Sequence, residues 1–301
     1  MKPGACATVA LTCLAALTAL AATRAGQDAP AAAFEDRFVT VEGRRVHYLE
    51  WGSPDARPFV MLHGIGRSAH SYDHIAAALQ ADFRVIAMDL RGHGDSDWHP
   101  QAAYLVEDYV ADLERLVEAL GLRDVLLTGS STGGRVAQVY AGLHPGRVAK
   151  LVVEDVGPER PENIASGFGR RAQVDSEGWA SEEELLATLR RGPTRVTEAQ
   201  HRNWIRHETR RRDDGRLVWK YDPDVTRGFV PTELWDYVER IQAPTIYLLG
   251  ANSRIVPPDT QARLKATSPN IEVVIVPDAG HYPHQETPDV FLAVVRAFFA
   301  G

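Results

Sequence analysis

Short runs of apolar, mostly β-branched residues recur along the chain, and each run ends in or near glycine, aspartate or proline. Runs of this length and composition are typical of strands that are buried on both faces of a parallel sheet. The sequence predicts six of them: PFVMLHG (58–64), FRVIAMDL (83–90), VLLTG (125–129), KLVVEDVG (150–157), PTIYLLG (244–250) and IEVVIVPDAG (271–280).

Two further patterns complete the predicted sheet and its cover. The stretch RFVTVEGRRVHYLEWG (37–52) places apolar residues on both sides of Glu42 and Gly43, which indicates a β-hairpin. The stretch AYLVEDYVADLERLVEALG (103–121) repeats apolar residues at helical spacing, and Gly121 ends the helix. Because strand-like and helix-like segments alternate, we predict an α/β fold with a mostly parallel, twisted sheet and helices on both faces.

One long segment interrupts this alternation. Residues 158–240 contain no buried-strand run, but they carry helix-start patterns at Ser181 and at Thr197. We therefore predict a helical cap, or lid, inserted after the sixth strand, with the core formed by 34–157 and 241–301. The insert holds four of the six tryptophans of the chain, and an aromatic insert of this kind can supply an apolar pocket: Trp179, Trp204, Trp219 and Trp235.

The N-terminal segment has the pattern of an export signal. Lys2 precedes an apolar run of 14 residues, from Val9 to Ala22. This run is shorter than the roughly 20 residues of a membrane-spanning helix but matches the roughly 7–15 apolar residues of a secretory signal. We predict a signal peptide over 1–25, cleaved near Ala22 or Ala25, and a secreted or periplasmic protein with no stable membrane span in the mature chain.

Composition narrows the classes of function. Both cysteines, Cys6 and Cys13, lie in the signal segment, so the mature chain is expected to lack thiols, disulfides and cysteine metal sites. The full chain has a net charge of −7, and removal of Lys2 and Arg24 leaves 31 basic and 40 acidic residues, a net charge of −9. This charge disfavours nucleic acid as a partner. Glycine loops that cradle phosphates are also absent from the sequence.

The stretch LLTGSSTGGRVA (126–137) contains the candidate nucleophile. Gly129 to Gly133 fit the pattern G-x-S-x-G with Ser131 at its centre, directly after an apolar strand and before a predicted helix. A strand-turn-helix of this kind holds the central serine in a strained turn at the top of the sheet. Ser130 is interpreted as structural. The same pentapeptide also occurs in ordinary Gly/Ser-rich loops.

A serine hydroxyl needs a neighbouring base to become nucleophilic, and it needs donors that stabilise the charge on the substrate oxygen. His281, which follows Gly280 in a tight turn after the last buried strand, is the favoured base. His284 competes, but it follows Pro283 and is expected to face the next helix. In MLHGIG (61–66) the N–H of Ile65 lies beside the predicted serine turn, and with the N–H of Thr132 it would form a two-donor oxyanion hole.

Four motifs resemble the α/β-hydrolase fold superfamily in their order and spacing: HGIG (63–66), DLRGHGDSD (89–97), GSSTGG (129–134) and GHYPH (280–284). The resemblance covers about residues 38 to 300. It implies a Ser-His-acid triad, a lid after the sixth strand, and cofactor-free hydrolysis of esters, lactones or related carbonyl compounds. It argues against the dehalogenase and epoxide-hydrolase branches, in which an aspartate stands at the position of Ser131. The resemblance also implies that Asp89, Arg91 and Ser96 brace loops.

The acid of the triad departs from the family pattern. Many relatives carry it after the seventh strand, in G-x-x-D, but the matching position here is Ser253, beside Asn252. We favour Asp155, at the end of the sixth strand, a location that some relatives use. Glu154 is expected to face the opposite side by strand alternation. A Ser-His dyad steadied by Ser253 or Asn252 is the alternative, whereas Asp259 resembles a helix cap and Asp278 lies in the turn before His281.

The sequence therefore predicts a serine hydrolase that cleaves a carboxylic ester or a lactone in a small carbonyl compound through an acyl-enzyme. One alternative is hydrolysis of a carbon–carbon bond in a β-diketone-like substrate with the same residues, and another is a non-catalytic small-molecule-binding protein. No metal is predicted, because the histidines do not recur at ligand spacing on one helix face: His63, His70, His74, His93 and His99.

Overall fold

The computed structural model describes residues 34–159, 173–192, 195–230 and 232–301. The predicted signal peptide, 1–25, lies outside the described residues. Within those ranges, none of the helices combines the length and the apolar character that crossing a membrane requires.

The described strands and helices follow the alternation that the sequence predicts. The strands are β1 (Glu35–Val41), β2 (Arg44–Trp51), β3 (Pro58–Leu62), β4 (Arg84–Met88), β5 (Val125–Ser130), β6 (Val148–Glu154), β7 (Thr209–Arg211), β8 (Leu217–Trp219), β9 (Thr245–Gly250) and β10 (Ile271–Val276). The helices are α1 (Asp73–Leu79), α2 (Val106–Ala119), α3 (Thr132–Leu143), α4 (Glu182–Leu189), α5 (Glu198–Glu208), α6 (Asp224–Arg227), α7 (Trp235–Val238), α8 (Pro258–Thr267), α9 (Pro283–Glu286) and α10 (Pro288–Ala300), with a 3-10 turn at Ala69–Tyr72 before α1.

Eight strands form one sheet in the order β1-β2-β4-β3-β5-β6-β9-β10. The strand β2 runs antiparallel to β1 and β4, and every other neighbouring pair in this sheet is parallel. The prediction of a mostly parallel α/β sheet is confirmed. The hairpin is also found, since Glu42 and Gly43 both have positive φ, 50° and 79°, as a two-residue turn matched to twisted strands requires.

The core lies on both faces of the sheet because successive strand residues point to opposite sides. In β3, Val60 and Leu62 belong to the apolar cluster under α2, α3 and α8, whereas Phe59 and Met61 belong to the cluster under α1 and α10. All four side chains are fully buried. Burial on both faces explains why the strands appear in the sequence as continuous apolar runs.

The described part of 158–240, which we call the cap segment, contains α4 to α7 and a hairpin of β7 and β8 that the sequence did not predict. Ser181 and Thr197 cap α4 and α5, and Thr197 forms a capping box with Gln200. The rings of Trp179 and Trp219 meet edge to face at 5.7 Å. The buried aromatic rings belong to the same apolar cluster as the face of the sheet under α2 and α3, so the segment packs on the core.

A buried polar cluster joins the cap segment to the loop after β3. Glu208, the last residue of α5, lies 2.9 Å from Arg67 and accepts hydrogen bonds from the hydroxyls of Ser68 and Ser71. The guanidinium of Arg67 also stacks on Trp204, 3.5 Å from the ring centre. The charge of Arg67 is thereby engaged inside the protein, between the core and the cap segment.

Candidate active site

Ser131 lies at the sharp turn between β5 and α3. Its φ of 52° and ψ of −116° are rare for a residue with a side chain and cost about 1–3 kcal/mol. The turn is held by the hydrogen bond from the Ser131 N–H to the Glu154 carbonyl, 3.1 Å. A Cβ at Gly129 or Gly133 would lie 2.2 Å from a backbone oxygen, so the turn requires glycine on both sides of the serine. The hydroxyl is thus presented at the carboxyl end of the sheet, in a partly exposed position.

The loop after β3 packs directly against this turn. A Cβ at Gly64 would lie 3.2 Å from the Cβ of Ser131, and the His63 carbonyl accepts the N–H of Gly133 at 3.1 Å. His63 is fixed as a neutral ring, because its Nε2 accepts the Leu90 N–H at 3.0 Å and its Nδ1 donates to the Gly64 carbonyl. Burial lowers the pKa of His63, which favours this neutral form.

Ile65 and Thr132 are the two residues whose amides are candidates for the oxyanion hole. Ile65 follows Gly64 in the loop that contacts Ser131, and Thr132 is the first residue of α3. Among the described residues, neither N–H donates to an acceptor of the protein. Donors kept unpaired in this way are what stabilisation of a tetrahedral intermediate requires, so both residues stay candidates for the oxyanion hole.

Asp155 and His281 meet at the carboxyl ends of β6 and β10. The Oδ2 atom of Asp155 lies 2.7 Å from Nδ1 of His281, and Asp155 is only 1% exposed. Its carboxylate also accepts the Gly250 N–H at 3.0 Å and the Ser253 hydroxyl at 2.6 Å. Ser253 occupies the position where many relatives carry the acid. It contacts Asp155, and Asp155 in turn contacts the imidazole.

The loop that carries His281 is fixed by Glu286, a residue that no motif in the sequence marks. Glu286 accepts the N–H groups of Gly280 and Tyr282 with its two carboxylate oxygens, both at 3.0 Å. These amides flank His281, so the carboxylate sets the backbone on each side of the imidazole. The sequence does show a carboxylate a few residues after Gly280. Its hydrogen-bond partners, however, are set by the way α9 folds back on the loop, which the sequence pattern does not show.

The same loop reaches the serine turn. The ring of Tyr282 lies 3.8 Å from the position of a Gly64 Cβ, which itself contacts Ser131. The side chain of His281 is 28% exposed. Its Nδ1 contacts Asp155, so Nε2 is the ring nitrogen that can act on the serine. The structure therefore brings Asp155 and His281 into contact, and it places the loops of His281, Ser131 and Ile65 around Gly64.

The competing base and acids lie elsewhere. His284 is buried, and its Nδ1 lies 2.7 Å from Oε2 of Glu154, on the far side of β6 from Asp155. Burial raises the pKa of Glu154 well above its usual value and lowers that of His284 to about 3, so the two share one proton. Asp259 lies in the first turn of α8, and the exposed Asp278 pairs with Arg195 at 3.3 Å.

His74 should contribute to a loss of unfolding free energy as the pH falls. Its Nε2–H donates to the His284 carbonyl at 2.8 Å, and burial lowers its pKa to about 4. Below about pH 6.5 the unfolded chain binds a proton here that the folded protein does not, so stability is lost as the pH falls from about 6.5 towards 4. In the Glu154–His284 pair, the raised pKa of the acid and the lowered pKa of the imidazole change stability with pH in opposite directions.

Urea unfolding measured between pH 7 and pH 4.5 tests this expectation. In His74→Gln, which keeps a side-chain N–H donor but cannot titrate, the decline should be shallower by up to about 1.4 kcal/mol per pH unit. Parallel curves for the two proteins would show that His74 is not the group responsible.

Two groups of side chains bring potential metal ligands together. In one, Asp89 accepts His47 Nδ1 at 2.6 Å and the N–H groups of Ala69 and Asp95, so its carboxylate already holds these loops, as the motif implied. The other group is His70, Asp73 and His207, between the core and the cap segment. The centres of its two imidazole rings lie 3.9 Å apart, with an angle of 24° between the ring planes. A metal ion must lie in the plane of each ring that binds it, so these stacked rings are poorly placed to bind one ion together. The three residues of this second group lie in the 3-10 turn, in α1 and in α5. A search for ligand spacing along one helix therefore does not find them.

Comparisons with known proteins agree with the fold. Residues 57–288 match the family described as alpha/beta hydrolase fold. The 3-hydroxybutyrate-oligomer hydrolase of Cupriavidus necator is 32% identical over 275 residues, which cover 85% of this chain and 93% of that protein. Esterase Rv0045c of Mycobacterium tuberculosis is 30% identical over 288 residues, which cover 93% of this chain and 94% of that protein.

A solved structure shows the same fold at lower sequence identity. E-2-(Acetamidomethylene)succinate hydrolase superposes with a TM-score of 0.82 at 24% identity, over 89% of this chain and 100% of that chain. The matched family segment, 57–288, contains Ser131, Asp155 and His281.

Proposed function

Because this chain belongs to the α/β-hydrolase fold family, we propose that it is a cofactor-free serine hydrolase that cleaves a carboxylic ester or a lactone through an acyl-enzyme. The contact of 2.7 Å between buried Asp155 and His281, on the rim that also carries the strained Ser131, is the observation that carries the proposal. An acid that orients a histidine beside a serine is the arrangement that makes a hydroxyl nucleophilic.

In the first half of the reaction, the Ser131 hydroxyl attacks the carbonyl carbon while Nε2 of His281 takes its proton. Asp155 keeps the proton of His281 on Nδ1 and stabilises the imidazolium that forms. The negative charge on the substrate oxygen is met by the N–H groups of Ile65 and Thr132. The carbon–oxygen bond to the alcohol then breaks, and His281 returns the proton to the leaving oxygen.

In the second half, water takes the place of the alcohol. His281 removes a proton from the water, which attacks the acyl carbon, and the bond to Ser131 breaks with return of the proton to its hydroxyl. The products are a carboxylic acid and the regenerated serine. Every proton transfer uses Nε2 of His281, so no metal or organic cofactor enters the scheme.

The relatives support an ester as the substrate class. One is named as an esterase and another as a hydrolase of 3-hydroxybutyrate oligomers, whose units are joined by ester bonds. We propose short oligoesters of hydroxy acids as the first natural substrates to test. The pattern of 1–25 supports export, and the mature protein is then expected to begin after Ala22 or Ala25, which N-terminal sequencing of the exported protein checks.

Steady-state kinetics with a panel of substrates tests the proposal. The panel contains p-nitrophenyl acetate, butyrate and octanoate, a γ-lactone, a 3-hydroxybutyrate trimer and a β-diketone. We expect turnover of esters or lactones. Turnover of the β-diketone alone would replace the proposal with carbon–carbon bond hydrolysis, and binding of panel compounds without turnover would replace it with a binding protein.

A further inference from the structure

Arg135 is a buried cation on the helix that begins beside Ser131. It lies one turn into α3, and its N–H donates to the Ser131 carbonyl at 3.0 Å. Its side chain donates to three main-chain carbonyls: Nη1 to Gly157 at 3.1 Å and to Glu159 at 3.0 Å, and Nη2 to Thr232. Arg135 is only 6% exposed.

The guanidinium has main-chain partners where a buried charge would ordinarily have a carboxylate. Among the described residues no carboxylate forms an ion pair with Arg135; burial lowers the pKa of Arg135 to about 10, and the more distant charges of Glu233 and Glu159 offset only part of that effect. Taking a charge out of water is costly unless its hydrogen bonds are made. The three carbonyl oxygens therefore have to stay in place for Arg135 to remain buried.

The three carbonyls lie at or near the two ends of the cap segment. Gly157 and Glu159 follow β6, where the chain leaves the core two residues after Asp155, and Thr232 lies just before α7, where the chain returns. The two ends also contact each other directly, since the Leu234 N–H donates to the Pro158 carbonyl at 2.8 Å. One side chain thus joins both ends of the cap segment to the helix of the proposed nucleophile.

We propose that Arg135 is a positioning residue that holds both ends of the cap segment in register with Ser131, and that it thereby sets selectivity for substrates large enough to contact the cap. The effect on selectivity rests on the proposed function. The tether, by which we mean the hydrogen bonds from Arg135 to both ends of the cap segment, does not depend on that function. Here the planar guanidinium reaches three oxygens at once, and the ammonium of lysine has no such fork.

The kinetic test compares Arg135→Met with the wild type on p-nitrophenyl acetate and octanoate. In the variant we expect KM for the octanoate to rise about tenfold or more, because the long acyl chain depends on the cap for binding, with kcat within about threefold for both esters. Arg135→Lys should restore part of the octanoate affinity. Arg147→Met, which changes an exposed arginine beyond the far end of α3, should match the wild type.

Equal losses on acetate and octanoate would overturn the role in selectivity. A second measurement tests the tether whether or not the protein hydrolyses esters. Hydrogen exchange followed by mass spectrometry should show faster exchange in Arg135→Met for peptides that cover 156–159 and 232–235, with exchange in the β3 and β5 peptides unchanged. Unchanged exchange at both ends of the cap segment would overturn the tether, while absence of turnover in the wild type would overturn only the proposed function.

Discussion

Replacing Ser131 with alanine should lower kcat for p-nitrophenyl esters by about 10⁵- to 10⁶-fold, with the fold intact. The hydroxyl is the only atom of this residue that enters the proposed chemistry, and its removal leaves His281 without a nucleophile to activate. The amides of Ile65 and Thr132 remain, so a weak residual activity above that of water is expected. This residual activity can be measured in stopped assays at high enzyme concentration.

Ser130→Ala is the matched control for this variant. Ser130 is the neighbouring serine, it is fully buried, and its hydroxyl has no hydrogen-bond partner among the described residues. Loss of that hydroxyl leaves no group unpaired, so we expect turnover within a few-fold of the wild type. Equal loss of activity in the two variants, or ample activity in Ser131→Ala, would contradict the assignment of the nucleophile.

Replacing Asp155 with asparagine should lower kcat by about 10⁴-fold. The buried carboxylate accepts from His281, Gly250 and Ser253, and a neutral amide can neither stabilise the imidazolium nor hold the proton on Nδ1. Ser253→Ala removes one of these three donors and leaves the carboxylate in place. Its expected loss is about 10- to 100-fold, since a hydrogen bond to a charged group contributes about 1.5–3 kcal/mol.

Asp278→Asn is the control for the change of charge. Asp278 lies in the turn that leads to His281, its side chain is exposed, and its φ of 62° is tolerated by asparagine. We expect kcat and KM to stay near those of the wild type. An Asp155→Asn enzyme as active as Asp278→Asn would remove Asp155 from the triad and favour the dyad steadied by Ser253.

The core of the fold was predictable because its signals are local. Continuous apolar runs gave β3 to β6, β9 and β10, and Glu42 with Gly43 gave the hairpin between β1 and β2. The positions of Ser131 and His281 in their turns also follow from neighbouring residues, since Gly129, Gly133 and Gly280 mark where the backbone bends. These patterns need no knowledge of distant parts of the chain.

The contacts that hold the site in place join residues far apart in sequence, and no local pattern announces them. Arg67 meets Glu208 across 141 positions, and Arg135 meets Thr232 across 97. The role of Ser253 is an instructive case. The sequence offered it as an alternative to Asp155, and the structure shows the two in one hydrogen-bonded chain that ends at His281.

A fluorophosphonate probe followed by peptide mass spectrometry tests the central claim most directly, because such a probe reacts only with a serine that its own active site has activated. We predict a single adduct on Ser131 in the wild type, its absence in Ser131→Ala, and its slower formation in Asp155→Asn. A wild-type protein that forms no adduct, or forms one on another serine, would contradict the assignment of Ser131, His281 and Asp155 as a catalytic triad.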